Sequence, residues 1–315
     1  MCVLGNRVRC YAYALLLRVY SCYSPLSMGW HYRISFATAH GYNIPYLLYK
    51  SSTIYPLTIV VLFSIFLQIL SLRRGGYVEK PVVVIKLNDA HVPFEDEVSV
   101  KAAIEFCEKI QPDIIITDEW MDFYELSRFT KDPTRATGYT LHDARERVWD
   151  WYDIIKRVCP KSRRIELNAN HPKRLVKYLH SNAPELVGLP EFEMVNFMRY
   201  DKLDIEFMQH FIFRNFLFKH GNLVRKYSSY TAKGELEKEG MSGASGHTHR
   251  LGQHYRSLRG GEYTWIECGM LCRTDMDYLD DAVADWQPGL GLVSFWGDRF
   301  RALPLPIIDG KIDWL

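Results

Sequence analysis

The stretch MSGASGHTHRLG, from Met241 to Gly252, places two histidines one residue apart inside a run of small residues. In an extended or turning backbone, residues i and i+2 point the same way, so His247 and His249 present their imidazoles to one side. Two imidazoles set out like this reach one metal centre or two adjacent ones. The glycines around them let the backbone approach other groups closely and take positive φ. A His-x-His in a loop is as often a solvated surface pair, so its meaning is set by what precedes it in the chain.

Upstream, from Lys80, strand and helix patterns alternate. PVVVIKLND is an apolar, β-branched run ending in polar residues, as a buried strand does. Glu97 to Ile110 carries Val100, Ala103, Ile104 and Cys107 at helical spacing. DIIIT follows Pro112 and ends at Asp118 and Glu119. His142 to Val158 reads as an amphipathic helix with Val148, Trp149, Tyr152, Ile155 and Val158 inward. Arg164 to Leu167 is a short strand ending at Asn168, Ala169, Asn170 and His171, and Lys173 to His180 a helix. Phe211 to Phe218 reads as one aromatic strand ending at His220. The tail from Glu262 to Ile312 holds several β-prone runs broken by Gly and Pro.

One regularity organises these elements. Polar, metal-capable residues stand at the C-terminal ends of successive strands: Asp89 and His91, Asp118 and Glu119, Asn170 and His171, His220, and finally His247 and His249. In open α/β sheets the ligand site lies beyond the carboxyl ends of the strands, so these clusters are expected to converge. Taken singly, each has a plain structural reading, as helix cap, turn residue or surface histidine. Taken together they offer carboxylate, amide and imidazole donors, a mix that suits Mn, Fe, Co, Ni or Zn.

The composition sets bounds on this reading. The chain has 315 residues, net charge +2, 48% hydrophobic and 24% charged residues, enough for a sizeable core and ordinary for a globular protein. No global field argues for nucleic acid or membrane binding. The one basic cluster, KRVCPKSRR from Lys156, reads as a solvated helix end. Seven cysteines at irregular spacing, without a C-x-x-C pair, read as reduced thiols. Cys268 and Cys272 are four apart and are expected to be structural, on one helix face.

Residues 1–77 differ from the rest. The first acid is Glu79, and YPLTIVVLFSIFLQILSL, Tyr55 to Leu72, is an uncharged run that just reaches the length of a membrane span. Arg73 and Arg74 would then put the following domain, 78–315, in the cytoplasm. The competing reading is an over-extended frame whose leader is not translated.

The ordered clusters resemble the calcineurin-like metallophosphoesterases, whose pattern runs D-x-H, G-D, G-N-H-[DE], H and G-H-x-H. Here it stands as Asp89-Ala90-His91, Asp118-Glu119, Ala169-Asn170-His171-Pro172, His220-Gly221 and Gly246-His247-Thr248-His249. DFYELSRFTKDP from Asp122 and HGNLVRKYSSYTAKGELEKEG from His220 resemble phage and bacterial members. The likeness covers about Val82 to Val293. It implies a four-layer α/β/β/α sandwich of two mixed sheets flanked by helices. It also implies two divalent ions, manganese placed first. One ion would be held by Asp89, His91 and His249, the other by Asn170, His220 and His247. Glu119 would bridge them, with Asp118 as the fallback and Asp122 structural. Catalysis of phosphate mono- or diester hydrolysis would fall to His171, and positioning of phosphate to Arg174 and Arg250. The phage-like flanks point to a nucleic-acid substrate.

The departures define a competing reading. Ala169 replaces a glycine, and Pro172 replaces the acid that orients the catalytic histidine, which leaves His171 less firmly held. On that reading the chain is a catalytically impaired relative serving as a metal-binding or scaffold protein.

Overall fold

The computed structural model describes residues 19–23, 30–34, 80–128, 138–275 and 283–313. The chain divides into two compact units, Met1–Val78 and Glu79–Leu315. In the first, β1 (Val19–Tyr23) and β2 (Trp30–Ile34) pair antiparallel, Val19 opposite Ile34. The expected span Tyr55–Leu72 lies outside the described residues. Among the described residues no helix is long and apolar enough to cross a membrane.

The second unit is built on two mixed sheets. In the first, β3 (Val82–Asn88), β4 (Ile114–Asp118), β5 (Arg163–Leu167) and β6 (Ile205–Met208) run parallel. β12 (Gly289–Trp296) and β13 (Arg299–Pro306) extend the sheet antiparallel beyond β3, giving the order β13-β12-β3-β4-β5-β6. β3 and β4 are near-continuous apolar runs because both faces of the sheet are covered. One face, through Ile85, Leu87 and Ile115, packs against α1 (Glu97–Ile110) and α2 (Leu141–Val158), with α3 (Lys173–Asn182) beside them. α1 starts where Asp96 accepts from the Val98 amide, and α2 at a capping box of Thr140 and Asp143. On α2 the inward tryptophan is Trp151. Trp149, expected inward, is half-buried, donates to the Met198 carbonyl at 2.7 Å and lies under the Arg145 and Arg199 guanidinium groups. Those cations make a partly solvated site favourable for its indole.

The second sheet has the order β10-β11-β9-β8-β7. Its strands are β7 (Phe211–Phe213), β8 (Phe216–Phe218), β9 (Ser242–Ser245), β10 (Leu251–Leu258) and β11 (Gly261–Cys268). The run Phe211–Phe218, expected as one strand, is a tight hairpin. Arg214 and Asn215 both take positive φ, 46° and 62°, the geometry of a two-residue turn that follows strand twist. The aromatic run thus doubles back, and Phe211, Phe216 and Phe218 all enter the core between the sheets with Val84, Ile116, Ile165 and Phe295. A short helix, α4 (Met194–Phe197), precedes β6, and α5 (Tyr230–Glu239) closes the outer face of the second sheet through Ala232 and Leu236 on Leu217 and Trp265. Three apolar interfaces separate four layers, helices, sheet, sheet and helix, as the sequence reading expected.

Titratable side chains are also buried on the sheets. Lys86 lies between the sheets and is paired with Asp118. Glu166, on β5, accepts hydrogen bonds from the Thr117 and Tyr152 hydroxyls.

Candidate metal centre

β3 and β4 are adjacent and parallel, and their pairing continues past the strand ends. The Asp89 amide donates to the Asp118 carbonyl at 3.1 Å, and the His91 amide to the Glu119 carbonyl at 3.1 Å. The two loops therefore leave the sheet as one layer and carry Asp89, His91 and Glu119 to one place. The chain turns sharply to do so. Asp89, His91, Glu119, His247 and His249 all have positive φ, between 51° and 70°. Left-handed backbone is uncommon for such residues, and its clustering at one site marks strain that the surrounding hydrogen bonds must hold. One such bond runs from the His247 amide to Asp89 Oδ2, at 2.9 Å. Gly246 makes that approach possible, because a Cβ there would lie 2.5 Å from the same oxygen.

All seven residues expected as ligands converge. His91 Nε2 and His249 Nε2 face each other at 3.1 Å, with Asp89 Oδ1 3.8 and 3.7 Å away. On the other side, His220 Nε2 lies 2.7 Å from Asn170 Oδ1 and 3.2 Å from His247 Nδ1. Glu119 stands between the two sets, its Oε2 3.1 Å from His220 Nε2 and 3.7 Å from His91 Nε2. Its other oxygen accepts from the His171 amide at 2.7 Å. Asp118, the fallback for that position, points into the core at Lys86, although its Oδ2 remains 3.7 Å from His220 Nδ1.

These donors fit divalent cations. Two nitrogens at adjacent corners of one ion, each roughly 2.0–2.1 Å from it, lie about 3 Å apart, the separation seen in both histidine pairs. Asp89 Oδ1, Asp118 Oδ1 and His220 Nδ1 are buried without a hydrogen-bond partner among the described residues. Orphaned buried polar atoms are rare in folded proteins and often mark a missing ion or water. Among the described residues, four groups of buried or half-buried side chains could hold metal, and Glu119 belongs to two of them, one with His91 and His171, one with His220 and His247.

The electrostatics of the cluster shows the same tension. Burial raises the Asp89 carboxyl to about 6 against the pull of His220. Burial would raise Glu119 as well, but His220 and His171 outweigh it and hold Glu119 well below the carboxylate range. Burial would lower His220, yet Glu119 and Asp118 hold it well above an ordinary imidazole. Burial and the neighbouring His220 bring His247 down to about 4, and burial with His91 takes His249 well below its usual value. His247 and His249 are thus neutral imidazoles, the form that binds metal.

Asp122, expected to be structural, lies against two histidines of the cluster. Its Oδ2 lies 2.9 Å from both His91 Nδ1 and His171 Nδ1, and its Oδ1 accepts from Arg174. Arg174 Nη2 is 2.9 Å from His171 Nε2. Arg174 can only donate, so His171 Nε2 accepts, and the His171 proton sits on Nδ1 facing Asp122. His171 is therefore firmly held despite Pro172, contrary to expectation: a carboxylate three residues after Glu119 orients it. The spacing Glu119-x-x-Asp122 was visible, but nothing in the sequence said that the loop would turn Asp122 back towards His91. Pro172 simply begins the turn into α3.

Cys272, expected to be structural, also lies beside the cluster. It is not on a helix but follows β11 by four residues, where Glu95 forms an isolated bridge with it. Its Sγ lies 4.0 Å from His249 Nδ1, and it groups with His91 and His249 as a potential ligand. Cys268 is buried between the sheets, as expected of a structural thiol. Arg174 stands beside Asp122 and His171. Arg250 is committed elsewhere, donating to the Arg225 and Asp285 carbonyls and pairing with the Asp285 carboxylate at 3.0 Å.

No protein-family model matches this chain. It is 28% identical to the Gene 54 proteins of Mycobacterium phages L5 and D29, over 242 and 241 residues, in each case 72% of this chain and 94% of the relative. Among solved structures it is similar to Vacuolar Protein Sorting 29 of Cryptosporidium parvum, with 13% identity, a TM-score of 0.39, and 75% and 96% of the two chains covered. It is also similar to Vps29 of Chaetomium thermophilum, with 10% identity, a TM-score of 0.36, and 73% and 90% covered.

Proposed function

We propose that this chain is a metallophosphoesterase, hydrolysing a phosphate mono- or diester with two divalent metal ions at the ends of β3, β4, β5, β8 and β9. The observation that carries this reading is Glu119, one carboxylate oxygen within 3.1–3.7 Å of imidazole nitrogens from two separate donor sets. Asp89, His91 and His249 would hold one ion, and Asn170, His220 and His247 the other, with Glu119 shared. Such a pair supplies polarisation of phosphoryl oxygens and acidification of water.

The remaining residues prepare that chemistry. Asp122 accepts hydrogen bonds from Nδ1 of His91 and of His171, which points His91 Nε2 at the ligand cluster and fixes the tautomer of His171. His171 would be the proton-transfer residue: once Arg174 turns to a phosphate oxygen, Nε2 is free to take up a proton from solvent and pass it to the leaving group, while Asp122 steadies the imidazolium at Nδ1. Arg174 is held by Asp122 in the position to do so. The imidazole, carboxylate and amide donors suit Mn, Fe, Co, Ni or Zn, and manganese is placed first on the family resemblance.

A second reading rests on one contact. Arg174 engages His171 Nε2 at 2.9 Å, which, if retained with substrate, leaves the histidine unable to transfer a proton and makes the chain a metal-binding scaffold. Hydrolysis of bis-p-nitrophenyl phosphate and p-nitrophenyl phosphate with added Mn²⁺ separates the two. The hydrolase reading expects metal-dependent turnover that is lost in the double variant Asp89→Ala, His249→Ala. Two metals bound without turnover on Mn²⁺, Ni²⁺, Fe²⁺ or Zn²⁺ would establish the scaffold.

A further inference from the structure

Residues 225–229, in the segment joining His220 to α5, are hydrogen-bonded to Arg250 and the start of β10, directly after His249. The Arg225 carbonyl accepts from Arg250, the residue after His249. The Ser228 hydroxyl donates to the Leu251 carbonyl, and the Gln253 amide donates to the Ser229 hydroxyl at 3.1 Å. Ser229 itself is in the left-handed region, φ 66°. Gly252 is what lets the two segments cross, since a Cβ there would lie 2.5 Å from the Ser229 amide nitrogen. Residues 225–229 are therefore held against the start of β10.

Yet the loop turns its aromatic rings outward. Tyr227 and Tyr230 are 51% and 58% exposed, their ring centroids are 5.3 Å apart and edge-to-face, and the Lys226 ammonium lies 5.1 Å from the Tyr227 ring. Arg225 and Lys226 are exposed beside them. Core packing does not need these rings, and a rigid loop displays them at little further cost in entropy. Exposed rings flanked by cations, at a fixed distance from a phosphoester site, are the elements that hold single-stranded nucleic acid: rings stack on bases and cations follow the backbone.

From this arrangement we infer that Tyr227 and Tyr230, with Arg225 and Lys226, form a stacking platform for single-stranded nucleic acid. Its phosphodiester would then be presented to the adjoining centre. This rests on the phosphoester reading above and names its substrate class. The platform is short, a few nucleotides at most, which agrees with a net charge of only +2.

The test is binding of a fluorescent dT oligonucleotide to the full-length chain at low and moderate salt, with EDTA present so that turnover does not enter. Tyr227→Ala and Tyr230→Ala are each expected to weaken binding about tenfold, the scale of one lost base–aromatic stack. Tyr255→Ala, an exposed tyrosine outside the loop, is the comparison and is expected to be neutral. An abasic oligonucleotide is expected to bind as weakly to the native chain as dT does to the double tyrosine variant. Equal binding of dT and abasic strands, or equal binding by native and double-variant chains, would overturn the platform. Turnover of the small chromogenic diester, measured separately with Mn²⁺, judges the hydrolase reading independently.

Discussion

Glu166→Gln is expected to make the protein more stable at neutral pH while changing little at pH 5. Glu166 is fully enclosed on β5. Burial, its largest influence, raises its carboxyl from 4.5 to about 8, against the Thr117 and Tyr152 hydroxyls that favour the ionised form. The folded chain thus keeps a proton that the unfolded chain has released. The stabilising effect of that proton is complete below pH 4.5 and is lost as pH rises through about 8. Each tenfold change in proton affinity between the folded and unfolded chain corresponds to about 1.4 kcal/mol, so the full penalty is on the order of 5 kcal/mol above pH 8 and roughly 3 kcal/mol at pH 7. Glutamine keeps a carbonyl oxygen for both hydroxyl donors and does not titrate. Allowing about 1 kcal/mol for imperfect replacement of the hydrogen bonds, a net gain of about 2 kcal/mol at pH 7 remains. The assay is urea unfolding of the native chain and the variant at pH 5, 6, 7 and 8, followed by tryptophan fluorescence. Other groups titrate in both proteins, so the quantity read is the difference between the two curves. A difference that does not change with pH, or a variant less stable than the native chain at pH 7, would refute a neutral Glu166.

Three further outcomes follow from the site and its supports. Asp122→Asn is expected to lower turnover by roughly 10²–10⁴, the range for a misplaced proton-transfer group, with two metals still bound by calorimetry. Gly246→Ala puts a methyl group 2.5 Å from Asp89 Oδ2 and is expected to cost about 1–3 kcal/mol of stability and weaken metal binding, read by thermal unfolding and metal titration. Lys86→Met strands the Asp118 carboxylate in the core, at an expected cost of about 3–5 kcal/mol. Adding Asp118→Asn is expected to restore much of it, and an additive double variant in urea unfolding would count against the pair.

The fold was legible where composition and period agree. Residues 82–88 and 114–118 have no apolar–polar alternation, which suits a sheet covered on both faces, and Glu97–Ile110 shows its buried stripe at helical spacing. Phe211–Phe218 was not legible as a hairpin, because an Arg-Asn pair is a weak turn signal and the aromatic run looks continuous. Its turn is held by tertiary contact, Arg214 donating to the Gly297 carbonyl at 2.8 Å from the far end of the chain.

The residue types at the candidate centre were determined by the sequence alone. Asp89, His91, Glu119, Asn170, His220, His247 and His249 all follow strand ends, of β3, β4 and β5 in one sheet and of β8 and β9 in the other. Which oxygen faces which nitrogen is a different matter, because it depends on left-handed turns and on groups distant in sequence. Only tertiary structure turned Glu119 inward between two imidazole sets while sending its neighbour Asp118 to Lys86. Only tertiary structure brought Asp122 under His91 and His171, and set Cys272 beside His249. Adjacent residues on a turning backbone point to different sides, and the choice between them is made by whichever buried partner offsets the cost of burying the charge.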